Sequence, residues 1–411
     1  METKAEKFPK GFFWGTSTSS HQTEGNNDRN DWWKAEQEGK VPYKSGLACD
    51  SYRMFRKDFY LAAGMRNNAH RISVEWSRIE PEIGTFNFAE LEHYREVLRA
   101  MRAYGLEPFL TLNHFTLPLW LTDIGGWTNK KAPRYFARYV RFVAKYLGEE
   151  VNYWITFNEP EIVIYFGYLA GSWPPFRKND IFGFLVSVSN LIEAHKRAYK
   201  VIHEMKPSAK VGAAENIVCF QPEGYRAVNS FFVSILDRTR NYWFFDRINK
   251  YMDFIGINYY TRYIFSLFKG LYQGNGEQGD NGWEIFPPGI YHVIKTINRR
   301  YVKLPIFITE NGLADAKDDK RSRFLVEHLK WLLKAIKDGA DVKGYFHWSL
   351  LDNFEWPQGF TMRFGLIEVD FKTLERKIRS SGKSYREICG KNALSERGGG
   401  ENGTNDYAVQ G

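Results

Sequence analysis

The chain has 411 residues, 43% hydrophobic and 26% charged, with a net charge of +9. That balance is ordinary for a globular protein, and the length admits two or three domains or one large barrel. The basic residues are mixed with acids along amphipathic segments and form no basic arm, so nucleic acid is not an expected partner despite the charge.

Short β-rich runs alternate with helical stretches. The first runs are Phe13–Thr16 and Ala69–Val74. A helix is predicted from Asn87, an N-cap with Glu90 three residues on, and its apolar face takes Leu91, Tyr94, Leu98 and Met101. Strands follow at Glu107–Asn113 and Tyr153–Asn158, separated by a helix that carries Tyr135, Tyr139, Phe142, Tyr146 and Leu147. Further strands are predicted at Lys210–Glu215, Phe254–Asn258, Ile306–Glu310 and Gly344–Trp348. Before the last of these, Phe324, Leu325, His328, Leu329, Leu332 and Ile336 mark a helix that Gly339 stops. The β-rich runs are nearly continuous in apolar or β-branched residues, as strands buried on both faces are. Eight strand–helix alternations predict an α/β fold with one (β/α)8 TIM barrel over residues 1–393. Residues 394–411 are polar and Gly-rich and are predicted to be a disordered tail.

No apolar run reaches the roughly 18 residues that cross a bilayer, so no membrane association is expected. The start of the chain lacks the apolar segment of a secretory signal, which leaves the Asn402-Gly403-Thr404 sequon without meaning. The three cysteines, Cys49, Cys219 and Cys389, are far apart and form no C-x-x-C pair, which predicts a reducing, cytoplasmic setting. Aromatic residues reach 17%; a large core accounts for most, and the excess suits stacking on sugars or bases.

In α/β barrels the reacting groups sit where strands end. Glu159 ends the run YWITFNEP and Glu310 ends PIFITENG, so a barrel brings both to one cleft. An acid after a strand more often caps the next helix. Here both lie in rigid polar contexts, between Asn158 and Pro160 and before Asn311-Gly312. Two carboxyl groups with different proton affinities are what glycoside cleavage needs: one donates to the leaving oxygen, the other attacks the anomeric carbon. Repulsion between them is expected to raise one pKa, while cations or hydrogen bonds hold the other low.

With these residues the chain resembles glycoside hydrolase family 1, the β-glucosidase and β-galactosidase family, over roughly residues 8–390. TFNEP and ITENG match its two signatures, and GFFWGTSTSSHQTEG, RISVEWSRIEP, TLNHFTLPLWL, GGW, DFIGINYYTR, HWSLLDNFEW and RFGLIEVD follow in the family's order. The resemblance implies a retaining β-glycosidase that needs no cofactor and no metal. Glu159 would be the general acid/base and Glu310 the nucleophile, with Arg71 and Tyr260 orienting Glu310 and Asn158 meeting the sugar 2-hydroxyl. The glycone pocket would be completed by Gln22, His114, Asn258, Trp348, Glu355, Trp356 and Phe364. Family members acting on 6-phosphorylated sugars lack the acid at Glu355, so unphosphorylated β-glycosides and short oligosaccharides are the expected substrates. The plant thioglucosidases carry Gln where Glu159 stands. His21 and Phe115 replace the family's usual Tyr and Trp. The segments 215–253 and 260–305 look shorter than usual, which predicts a more open leaving-group side.

Competing readings are a transglycosidase using the same glutamates and a sugar-binding relative without catalysis; the latter usually lacks one of the two acids. Gly274-x-Gly276-x-x-Gly279, and Gly398, Gly400 and Gly403 in the tail, match a dinucleotide fingerprint, but neither follows a strand and opens a helix. No H-E-x-x-H or G-x-S-x-G occurs.

Overall fold

A computed structural model describes residues 6–224 and 226–394. Eight parallel strands close into a barrel: β1 Phe13–Ser17, β2 Ala69–Ser73, β3 Glu107–Thr111, β4 Tyr153–Asn158, β5 Lys210–Asn216, β6 Phe254–Asn258, β7 Ile306–Asn311 and β8 Val342–Trp348. Every predicted strand is present, its ends shifted by two residues at most. The main helix after each strand is, in order, α1 Ser51–Gly64, α2 Phe88–Ala103, α3 Ala132–Leu147, α4 Ile181–Met205, α5 Trp243–Ile248, α6 Pro287–Arg300, α7 Arg321–Lys337 and α8 Ser380–Lys391.

The alternation of strand side chains separates two cores. Phe109, Phe254, Phe307 and Phe346 point inward and, with Phe13 and Tyr153, plug the barrel near the starts of the strands. Phe109 stacks on Tyr153 with centroids 4.3 Å apart. Gly15 leaves room for this plug, since a Cβ there would lie 2.4 Å from the Phe346 ring. The outward neighbours, such as Leu110 and Ala213, join the larger core beneath the helices.

The predicted helices form, with two differences. Asn87 caps α2 by accepting from the Ala89 and Glu90 N–H groups, but Glu90 does not close a reciprocal box; its carboxylate accepts from the Tyr52 hydroxyl. In α3 the buried face runs through Phe136, Tyr139, Val140, Val143 and Leu147, while Tyr135, Phe142 and Tyr146 are only half-buried. Aromatics around the start of α2 cover that flank: Phe86, just before the helix, stacks on Phe142 at 3.7 Å, and Phe88, its first residue, meets Tyr146. Gly339, at φ 90°, ends the turn after α7.

The two segments expected to be short still build a rim sheet, in which Cys219–Pro222 pairs with Arg262–Ser266 and the latter with Gly270–Tyr272. At the opposite end Glu6–Lys7 pairs with Ala393–Leu394, so ordered structure reaches one residue beyond the predicted barrel end. The Trp14 indole donates to Asn392 and the Tyr385 hydroxyl to the Gly15 carbonyl, fastening that pair beneath the barrel. Residues 395–411, where most of the predicted tail and the second glycine motif fall, lie outside the described residues.

Candidate active site

The chain leaves β4 through Glu159, whose backbone sits in the left-handed region at φ 44°, and enters a short helix with Pro160 in its first turn. A residue with a side chain is held there at a cost of about 1–3 kcal/mol, and such strain clusters at functional sites. Backbone bonds from Asn158 to the Asn113 carbonyl (3.0 Å) and from Glu159 to the Ala214 carbonyl (2.7 Å) enforce the turn. Glu310 lies on β7 itself. The next residue, Asn311, is braced by donating to the Tyr259 carbonyl (2.7 Å) and accepting from the Tyr345 hydroxyl (2.9 Å).

One hydrogen-bonded network joins seven of the predicted site residues. Arg71, from β2, donates to Glu310 Oε1 at 2.5 Å and to Asn158 Oδ1 at 2.6 Å. It also reaches Thr111 Oγ1 and the Thr309 carbonyl. The Tyr260 hydroxyl donates to Glu310 Oε2 at 2.6 Å. Asn258 bridges the halves by donating to Asn158 Oδ1 (3.0 Å) and Glu159 Oε1 (2.8 Å), while its own carbonyl accepts from Thr309. The Asn158 amide faces His114 Nε2 at 3.2 Å, and His114 Nδ1 has no partner among the described residues.

A second group forms the adjoining wall. Glu355 Oε1 accepts from the Trp348 indole (3.1 Å) and from Gln22 (3.2 Å), and Gln22 in turn reaches Asn353 and is held by Ser19. Trp356 and Trp348 lie nearly parallel to the His114 ring. Phe364 packs with Trp348 and stands edge-on to Tyr260. All the predicted site residues are thus brought together. His21 stacks on Trp356 and is fixed by Glu36 and Asn30, and Phe115 packs on the same indole, so both departures from the family pattern are wall residues.

The two glutamates differ in their partners. Burial raises the Glu159 pKa to about 7, reinforced by the charge of Glu310 and opposed by the amides of Asn258 and Asn216 and by the charge of Arg240. Burial raises Glu310 as well, but there the guanidinium of Arg71 and the hydroxyl of Tyr260 oppose it. The expectation of a depressed value at Glu310 is therefore corrected, because burial outweighs its partners. Burial lifts Glu355 to about 8. Burial and Arg71 push His114 well below the usual histidine value, so its ring is neutral.

Three contributors went unnamed in the sequence. Asn216, 3.3 Å from Glu159 Oε1, lies one residue past the predicted end of β5. Asn353 stands inside HWSLLDNFEW, and its position beside Glu355 was its only signal. Trp283, half-buried against Tyr260, carries no local signal because its strap is remote in sequence from the strand ends. Among the described residues no group of three or more His, Cys, Asp or Glu side chains is placed to hold a metal ion.

Paired buried carboxyls at the ends of β4 and β7, walled by indoles and amides, define a carbohydrate-cleaving barrel enzyme, a glycoside hydrolase. The model of glycosyl hydrolase family 1 matches residues 4–252 and 245–394. Beta-glucosidase A of Thermotoga maritima is 32% identical, covering 95% of this chain and 99% of its own length. A beta-galactosidase of Sulfolobus acidocaldarius is 33% identical, covering 95% and 96%. Among solved structures, a beta-glycosidase from Pyrococcus horikoshii superposes with TM-score 0.90 at 38% identity, covering 96% of this chain and 97% of that one. The Thermotoga maritima beta-glucosidase in complex with glucoimidazole gives 0.90 at 32%, covering 94% and 100%. The chain belongs to glycosyl hydrolase family 1.

Proposed function

We propose that the enzyme hydrolyses terminal β-D-glucosyl residues, and β-D-galactosyl or fucosyl residues in the same pocket, by double displacement with retention. The observation that carries this reading is the unequal partnering of the two acids: Glu310 faces a guanidinium and a phenol, whereas Glu159 faces amides and the charge of Glu310. In the first step Glu310 attacks the anomeric carbon, and Glu159 gives its proton to the departing oxygen. Esterification removes the negative charge of Glu310, so the proton affinity of Glu159 falls. Glu159, now ionised, takes a proton from water as that water displaces Glu310 and frees the sugar.

The remaining groups fit a sugar. Asn158 is held by Arg71 and Asn258 through its carbonyl and faces His114 with one amide N–H, which leaves the other to meet the 2-hydroxyl. His114, accepting at Nε2, offers an Nδ1 proton. Gln22 and Glu355 suit the outer hydroxyls, and the indoles suit an apolar ring face. The hydrogen-bond partners of Glu355 are the Trp348 indole and the Gln22 amide, with no Lys or Arg among them to meet a phosphate, which favours unphosphorylated substrates. The similarity to proteins named beta-glucosidase and beta-galactosidase supports this substrate range. Three buried free cysteines suit a reducing, cytoplasmic setting.

The test is direct. Glu310→Gln should lower turnover of an aryl β-glucoside by on the order of 10^4-fold or more. Glu159→Ala should lose activity that azide restores, giving the β-glycosyl azide. Wild-type turnover by Glu310→Gln, or an inverted product in the proton NMR spectrum, would sink the reading.

A further inference from the structure

Between β6 and β7 the chain passes through the glycine-rich stretch that matches a dinucleotide fingerprint in sequence. In the fold this stretch cradles a side chain of its own chain. The Gly274 N–H donates to Glu284 Oε2 and the Gly276 N–H to Oε1, both at 3.1 Å. Arg262 grips the same carboxylate with Nε to Oε2 at 2.7 Å and Nη2 to Oε1 at 2.8 Å. Glu284 is 2% exposed. A Cβ on Gly274 would lie 2.3 Å from Oε2 and one on Gly276 2.5 Å from Oε1. The glycines therefore provide the space of an anion nest, and Glu284 supplies the anion.

The backbone of Glu284 is tied as firmly. Its N–H donates to Gln273 Oε1 (3.0 Å), and its carbonyl accepts from Thr261 Oγ1 (2.9 Å). Thr261 is the chain neighbour of Tyr260. Trp283, the chain neighbour of Glu284, packs on the Tyr260 ring with centroids 5.3 Å apart. One carboxylate thus fixes both flanks of the tyrosine, the residue that follows it and the ring that covers it. Arg262 also lies over the Phe286 ring at 3.9 Å and donates to Gln221 on the rim sheet.

We propose that Glu284 is a positioning residue for hydrolysis: seated in the glycine nest, it holds the 273–286 strap so that the Tyr260 hydroxyl stays on Glu310. The inference rests on Tyr260 being a partner of the nucleophile. A hydrogen bond weakens steeply as its angle and distance drift, so a strap free to shift loses the contact without losing the phenol. Glu310 is faced by Arg71, Tyr260, Glu159 and Glu355; of these, only Tyr260 leans on the strap.

Three variants test it on an aryl β-glucoside across pH: Glu284→Ala, Tyr260→Phe and the double substitution. Tyr260→Phe should lower kcat by about 10–100-fold. It should also move the acid limb of the kcat/KM profile upward, because Glu310 loses a donor that favours its ionised form. Glu284→Ala should lower kcat about tenfold with little change in KM and move the acid limb the same way. The double variant should be no slower than Tyr260→Phe alone. Formate, matching the vacated carboxylate between Arg262 and the two glycine N–H groups, should restore kcat to Glu284→Ala. If Glu284→Ala fails to fold, Gly276→Ala displaces the same carboxylate and takes its place in the comparison. A wild-type kcat and acid limb in Glu284→Ala would overturn the proposal, as would an equal loss in the Tyr260→Phe background. Wild-type activity in Tyr260→Phe would instead remove the reading of Tyr260 and the proposal with it.

Discussion

Arg71 touches four groups at once: two carbonyl oxygens, a hydroxyl and the nucleophile's carboxylate. Only a planar guanidinium can present donors in so many fixed directions. Arg71→Lys keeps the charge and loses the fork, so kcat/KM should fall about 10^2–10^3-fold, mostly in kcat, in steady-state assays. Asn258 acts on the other acid. Its amide favours ionised Glu159, so Asn258→Ala should raise that group's pKa from about 7 and move the alkaline limb of the pH–rate profile upward. An unmoved alkaline limb would mean that a group other than Glu159 sets it. The principal residues were legible in sequence because strand ends mark them: Glu159, Asn158, Glu310 and Asn258 each close or follow a β-rich run. Asn216 and Asn353 were not, since a polar residue beside a strand end gains its role only from what stands across the barrel.

At the scale of elements, the barrel strands were legible because they are buried on both faces and need little from their neighbours to look apolar. The rim strands were not. Cys219–Pro222 is short, half-buried and contains proline, and its partner Arg262–Ser266 lies far along the chain. The burial of α3 was not legible for a related reason: Phe142 and Tyr146 pack against Phe86 and Phe88, a local cover that periodicity does not encode. The aromatic plug invites a clean element-level test. Phe109 touches Phe13, Tyr153, Phe254, Phe307 and Phe346. Phe109→Ala should cost about 3–5 kcal/mol in denaturant unfolding. Because the plug lies near the strand starts, kcat well below the melting transition should stay close to wild type. A loss of kcat as large as that of Arg71→Lys would show that plug and mouth are mechanically coupled.

The whole molecule carries an unusual load of buried acids. Burial raises Glu24, Asp31, Glu159 and Glu161 to about 7, and Glu355 to about 8. Glu215 is pushed up by burial and by the charge of Glu161. An acid whose folded value is raised stabilises the fold fully below its unfolded value, near 4.3, and that contribution is lost as pH climbs through the folded value. The buried histidines work in the opposite sense. His70 and His328 fall to about 3 and His195 to about 4 through burial, so their contribution is present above about 6.5 and lost as pH drops. The melting temperature should therefore peak between about pH 5 and 6.5 and decline toward pH 8. Glu215→Gln removes one of the titrating acids, so its melting temperature relative to wild type should improve from pH 5 to pH 8. A parallel decline in both proteins would exclude Glu215 from the effect.

Lys7 is exposed on the strand pair that fastens the underside of the barrel, at the pole away from Glu159 and Glu310. Cys49, Cys219 and Cys389 are all buried, and burial raises their thiol pKa values, so none competes for a thiol reagent. Lys7→Cys would then give the molecule one addressable thiol, and maleimide coupling through it would seat every copy on a support with its mouth toward the medium. Activity per bound molecule should match that in solution, whereas random coupling through lysines should not.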